Sequence, residues 1–251
     1  MLPALFTTQI ENIPAGEWSR IYFGSEFCPW TFPGDVALAA ACKSARQQNL
    51  PFSLVTPVLS EPFLPILKKR LQTILPELGP DDEVVISDLG AIDLVRDLSP
   101  EVPLVAGRVL SGQKRGPRIL DLDLNPAEID YFQKGSWYQQ QAVSFLREQS
   151  IDRVELDNLL QGVAPLPDGL HGTLHLPWVT VSVSRNCPFR EPGQSGPCPV
   201  HCGESMKLTT EQTELPLHQA GNCQFIYNDR LPDNLDQLGI DRVVRHLQLP
   251  R

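Results

Sequence analysis

Short apolar runs alternate with helix-period stretches along most of the chain. Residues 19–24 (SRIYFG) read as a strand ending in Gly24, and residues 35–48 (DVALAAACKSARQQ) as a helix preceded by Pro33 and Gly34. Residues 51–59 (PFSLVTPVL) predict a second strand, followed by a helix over 61–75 with Pro62 near its first turn. A third strand falls at 83–87 (EVVIS), a short helix at 89–98 and a fourth strand at 103–110 (PLVAGRVL). Residues 111–135 are less regular and hold Gly-Pro and Asn-Pro turn signals. A helix over 137–148 precedes a fifth strand at 152–156. Residues 173–184 (TLHLPWVTVSVS) read as a sixth strand, bent at Pro177. The polar residues 204–219 form a small excursion, and a helix at 231–238 leads to a last strand at 241–244.

Strand–helix alternation of this length implies parallel pairing with helices outside. Seven or eight candidate strands favour an α/β fold, a TIM-like (β/α) barrel, incomplete or modified. No stretch is long or polar enough to act as a linker, so a single domain over residues 1–251 is expected. Active sites of such barrels lie where strand C-termini feed their loops.

Four cysteines give this scaffold its candidate chemistry. Cys187, Cys198 and Cys202 lie in SRNCPFREPGQSGPCPVHC, a loop of Pro, Gly and polar residues with little apolar surface to bury. Thiolates closing around a metal centre would order the loop over 187–202. Cys28, four residues beyond Gly24, is a candidate fourth ligand at the end of a strand, and Cys187 directly follows the run 173–184. Four thiolates suit a [4Fe–4S] cluster or a structural zinc, with His201 or His175 as substitutes. Zinc ribbons usually show two short cysteine knuckles, whereas only Cys198 and Cys202 form one here; spacing leaves the two metals open. Cys223 is an alternative to Cys28, while Cys42, inside an apolar helix, reads as a buried structural thiol. Asp88 and Glu155 close predicted strands and are candidates for facing a substrate pocket. The preferred reading is that Asp88 caps the following helix and Glu155 is a satisfied polar residue at the barrel mouth. There is no HExxH spacing, no G-x-S-x-G elbow and no P-loop pattern.

Composition narrows the partners. With 251 residues, a formal net charge of −9 and a mean hydropathy of −0.16, the chain has no general phosphate-binding surface. Its basic run Lys68-Lys69-Arg70 falls on a predicted helix and reads as a solvated face. The opening MLPALFTTQIENIP lacks a basic n-region, and no run approaches the roughly 20 apolar residues of a membrane span. The expected location is therefore cytoplasmic, where clustered cysteines more often mean metal or redox chemistry than disulfides.

Several blocks resemble the collagenase-like peptidase U-32 family, in particular its UbiV-like branch of oxygen-independent ubiquinone biosynthesis. IYFGSEFC resembles the strand-one block with its Gly-Glu-x-x-Cys-like turn. ISDLGAIDLV, VPLVAGRVLS, LHLPWVTVSVSRNC, the Cys-x3-Cys pair and GIDRVVR resemble later blocks in the same order. The resemblance implies that Cys28, Cys187, Cys198 and Cys202 ligate an oxygen-sensitive [4Fe–4S] cluster. In other branches a later cysteine takes that role, which keeps Cys223 in play. It also implies hydroxylation without dioxygen, on a ubiquinone precursor or similar prenylated aromatic, with a homologous UbiU-like subunit as heterodimer partner. Other branches act on RNA bases, and the third expectation is a non-catalytic, metal-stapled scaffold. Peptidase chemistry is not expected, because no protease nucleophile–base pair is recognisable. The chain departs from the UbiV-like pattern after Cys28, where Pro29-Trp30-Thr31-Phe32-Pro33 replaces a basic run.

Overall fold

The computed structural model describes residues 2–10, 13, 16–191 and 196–250. Eight parallel strands close a barrel: β1 (Ala4–Thr7), β2 (Ile21–Gly24), β3 (Phe52–Thr56), β4 (Glu83–Ile86), β5 (Leu104–Ala106), β6 (Arg153–Asp157), β7 (His171–Leu176) and β12 (Ile240–His246). β12 closes the ring by pairing β7 on one side and β1 on the other, with Ala4 opposite Val244 and Leu5 opposite Ile21 on β2. The fold is thus an α/β barrel of the TIM-like kind.

Strand residues alternate between two layers, as the period of two requires. Leu5, Ile21, Leu54, Val84, Leu104, Val154 and Leu174 point outward into the main core beneath the helices. Ala4, Phe6, Tyr22, Val55, Val85, Val105 and Val244 fill the lumen. Helix α1 (Asp35–Gln47) buries Leu38, Ala41, Cys42 and Ala45, an i, i+3, i+4, i+7 stripe against the barrel wall. Cys42 occupies the buried place expected of it, its sulfur 3.6 Å from the Glu77 carbonyl. Helices α2 (Leu64–Ile74), α3 (Gly90–Leu98) and α5 (Gln140–Glu148) bury similar stripes.

Four differences from the sequence pattern matter. The barrel begins at β1, which the pattern missed because four residues are too few to show a period. Residues 126–133, within the less regular stretch, form helix α4 (Pro126–Gln133); Asn125 and Glu128 cap it reciprocally and Pro126 starts it. The expected helix over 231–238 is only the 3-10 turn Leu235–Leu238. Finally, the expected sixth strand is two strands in two different sheets. β7 stays in the barrel, whereas β8 (Trp178–Val183) leaves it beyond Pro177.

β8 opens a four-stranded antiparallel sheet inserted between β7 and β12. Its order is β8, β11 (Cys223–Tyr227), β10 (Thr213–Ala220) and β9 (Met206–Thr210). The 204–219 excursion is therefore β9 and most of β10. This sheet docks on the loops that follow barrel strands, that is, on the C-terminal mouth. Phe225 packs edge-on against Phe27 with ring centroids 5.5 Å apart, and Asn222 Nδ2 donates to the Phe27 carbonyl at 3.2 Å.

Candidate metal centre at the barrel mouth

The loop after β2 is shaped at its root by Gly24. Its φ is +144°, and a Cβ there would lie 2.0 Å from the Val55 carbonyl oxygen, so only glycine lets β2 end this close to β3. Beyond it, Ser25 Oγ and Thr31 Oγ1 both donate to the Cys28 carbonyl at 2.9 Å, fixing the turn. The backbone amides of Trp30 and Thr31 face the Cys28 side chain, and the Thr31 amide also donates to the Cys28 carbonyl at 3.3 Å. Burial pushes this thiol's pKa up and so do Cys198 and Cys187, while the two amides pull it down.

The other three cysteines come from the segment between β8 and β9. Cys187 follows β8, so it is carried by the inserted sheet and not, as the unbroken strand implied, by the barrel itself. Because that sheet lies across the mouth, Cys28, Cys187, Cys198 and Cys202 all line one cavity of about 470 Å³, although no three of their sulfurs lie within 4.8 Å of one another. Val200, between Cys198 and Cys202, has φ +61°, a costly conformation for a β-branched residue. It turns the chain so that both flanking cysteines reach the cavity, and its amide donates to the Cys198 sulfur at 3.4 Å. None of the six cysteines forms a disulfide.

The rest of the cavity wall is apolar and aromatic, with Phe27, Trp30, Leu59, Val109 and Phe189, joined by Arg185, Arg190 and His201. Among the described residues no carboxylate lines it, in a chain of net charge −9. Among the described residues from 181 to 218 none is buried, so the segment bearing three of the thiols has almost no core of its own. The donor set fits a four-thiolate metal group: four half-buried cysteines, an amide donor on the Cys198 sulfur, and guanidinium groups to offset thiolate charge.

Cys223 lies behind the cavity wall, close enough to Cys28 and Cys187 to feel their charge. It is fully buried with Phe27, Ala220 and Phe225 and is not part of the cavity wall. Burial, with Glu26 and Cys28 adding to it, raises its thiol pKa well above the ordinary value. His175, the other suggested substitute, is buried in the barrel lumen. Asp88 accepts from the Leu59 amide at 3.0 Å and from the Gly90 amide at 2.9 Å, bracing a wall residue and the start of α3 without reaching the cavity. Glu155 lies inside the barrel, its Oε2 3.1 Å from His175 Nε2.

A buried charge cluster beneath the cavity was not singled out in the sequence. Arg108, wholly inaccessible, donates from Nε and Nη2 to both oxygens of Glu26 at 2.7 Å. Its Nη1 reaches Asp157 Oδ1 at 2.9 Å and the Trp178 carbonyl at 2.7 Å. Arg115 Nε meets the other Asp157 oxygen at 2.7 Å, and the Thr180 amide donates to Oδ1 at 3.0 Å. One guanidinium thus ties the loops after β2 and β5 and the end of β6 to the inserted sheet. Burial alone would raise the Asp157 pKa, but Arg115 and Arg108 outweigh it and hold it low.

No family model matches this chain, and no curated protein matches it. Among solved structures it is similar to the U32 peptidase Mk0906, with 11% identity and a TM-score of 0.49, over 100% of this chain and 95% of that one. A likeness of that size carries no chemistry across, and the fold stated above rests on this chain's own strand pairing.

Proposed function

We propose that this protein is an iron–sulfur protein whose Cys28, Cys187, Cys198 and Cys202 hold one [4Fe–4S] cluster at the C-terminal mouth of the barrel. One observation carries the reading: thiols 159 or more positions apart in sequence (28 against 187) line a single cavity. Their supporting segment has no buried described residue to order it otherwise. When bound, such a cluster supplies electron transfer. The chain's own residues would do the rest. Trp30 and Thr31 amides stabilise the Cys28 thiolate, Arg185 and Arg190 offset cluster charge, and the apolar wall excludes water and accepts a flat aromatic ring.

The finer reading rests on the sequence blocks that resemble the U-32 family's UbiV-like branch. On that basis the protein is a subunit of an oxygen-independent hydroxylase, paired with a homologous UbiU-like chain and acting on a small or prenylated aromatic substrate. The carboxylate-free cavity is in keeping with an apolar or anionic aromatic substrate. Among the described residues no helix is long and apolar enough to cross a membrane.

Anaerobic purification followed by iron, sulfide and zinc analysis tests the cluster. About four irons and four sulfides per chain are expected, lost together when any one ligand cysteine is changed to Ala. Stoichiometric zinc without sulfide would overturn the reading. Co-purification of a homologous chain from the source organism tests the finer step.

A further inference from the structure

A second group of ligating side chains lies below the cysteines and takes no part in their cavity. Glu26, His175 and His246 each offer one ligand atom within 4.8 Å of the others, and all three are buried. They come from the loop after β2, from β7 and from the end of β12, so barrel closure brings them together. We propose that Glu26, His175 and His246 form a site for one divalent cation of the zinc or ferrous class, separate from the cysteine centre.

Two features argue for it. Two imidazoles and one carboxylate are a donor set that borderline divalent ions favour, and three protein ligands leave a coordination position open. A recess of about 70 Å³, lined by Glu26, His246, Thr7 and Gln248, adjoins the triad and has room for about two water molecules at ~30 Å³ each.

The surroundings also orient the ligands. Arg108 holds the Glu26 carboxylate with one hydrogen bond on each oxygen, which leaves a further lone pair on each. His175 Nε2 lies 3.1 Å from Glu155 Oε2 but is not aligned for a hydrogen bond, so a small turn of the ring would be needed to complete the carboxylate–histidine arrangement that directs the other ring nitrogen towards a metal. His175 Nδ1 and His246 Nε2 are 2.8 Å apart and share a hydrogen bond. Ligands ~2.1 Å from a tetrahedral ion sit about 3.4 Å apart, so the rings must separate by about half an ångström. Whichever imidazole carries the shared hydrogen must then pass it to its other ring nitrogen, so that both facing nitrogens present lone pairs.

Cobalt(II) titration of the chain carrying Cys28→Ser, Cys187→Ser, Cys198→Ser and Cys202→Ser isolates this site from the cysteine centre. One cobalt per chain is expected, with visible bands of nitrogen–oxygen ligation and no sulfur charge-transfer band. Adding His246→Ala or His175→Ala should weaken binding at least tenfold. Absence of saturable binding, or binding that His246→Ala leaves unchanged, would overturn the proposal. Should the fourfold variant not fold, zinc(II) addition to the wild-type chain labelled with 15N-histidine gives the same decision. The His175 and His246 ring nitrogens must shift; if they stay in place while zinc binds, the site does not exist.

Discussion

Arg108 stands in VAGRVLS, a lone charge inside an apolar run, and the folded chain gives it no water at all. Its two carboxylate partners lie 82 and 49 positions away, so nothing local in the sequence announces the cluster. What the sequence did offer was the anomaly itself: arginine is almost never fully buried unless paired. Removing one partner of such a cluster leaves the others charged and dry. Arg108→Ala is therefore expected to cost about 3–5 kcal/mol in urea unfolding, whereas a loss under about 1 kcal/mol would mean that the cluster relaxes into water. At the other end of the lumen, Glu83 accepts from Ser53 Oγ at 2.6 Å and pairs with Arg242 and Arg20. Burial pushes its pKa up, but the two arginines and the hydroxyl prevail and hold it below the ordinary value. A depressed carboxyl stabilises the fold above its unfolded pKa of about 4.3, and that contribution fades as pH falls through the lower folded value. Glu83→Gln should accordingly be less stable than wild type at neutral pH, with the gap narrowing below about pH 4 in denaturation curves.

At the scale of elements, the barrel was readable because its strands and helices repeat with clear periods, and seven of the eight barrel strands carry that pattern. β1 was not, since ALFT is too short to show alternation. Nor was the break between β7 and β8: TLHLPWVTVSVS is apolar on both sides of Pro177, and only tertiary pairing sends its halves to different sheets. β9 and β10 escaped because their exposed, polar faces leave no apolar alternation to detect. The junction of β2 with the Cys28 loop gives the sharpest element-level test. Gly24→Ala would place a methyl group against the Val55 carbonyl and force an L-residue into a glycine-only conformation. Backbone strain alone is worth about 1–3 kcal/mol, with steric overlap in addition. A lowered melting temperature is expected together with displacement of Cys28, read as impaired metal incorporation at temperatures where the variant remains folded. A variant that binds metal normally would show that β2 and β3 can part without moving the loop.

Over the whole molecule, order comes from two sources that differ in kind. The barrel and its helices rest on a large apolar core, which runs from Leu5 to Ile240 and has no need of a ligand. The stretch from 181 to 218 has no buried described residue, and its inner attachment is made through β11 and the end of β10. Under the four-thiolate reading its remaining order comes from metal, and removing the metal should separate the two parts. This division was partly legible from the start, because a Pro- and Gly-rich loop holding three cysteines has little to bury. What the sequence withheld was the platform, since the inserted sheet that carries the loop across the mouth is invisible to periodicity. Chelation under anaerobic conditions, followed by brief proteolysis, should therefore cut between residues 184 and 205 first. Far-ultraviolet circular dichroism should barely change, and the protected fragments should hold together through the Phe27–Phe225 contact and the Arg108 cluster. Hydrogen exchange should show the same contrast, with faster exchange confined to that segment and the Cys28 turn. Cooperative loss of barrel protection on chelation would make metal part of the global fold, and unchanged cleavage would mean that the thiols do not order the segment.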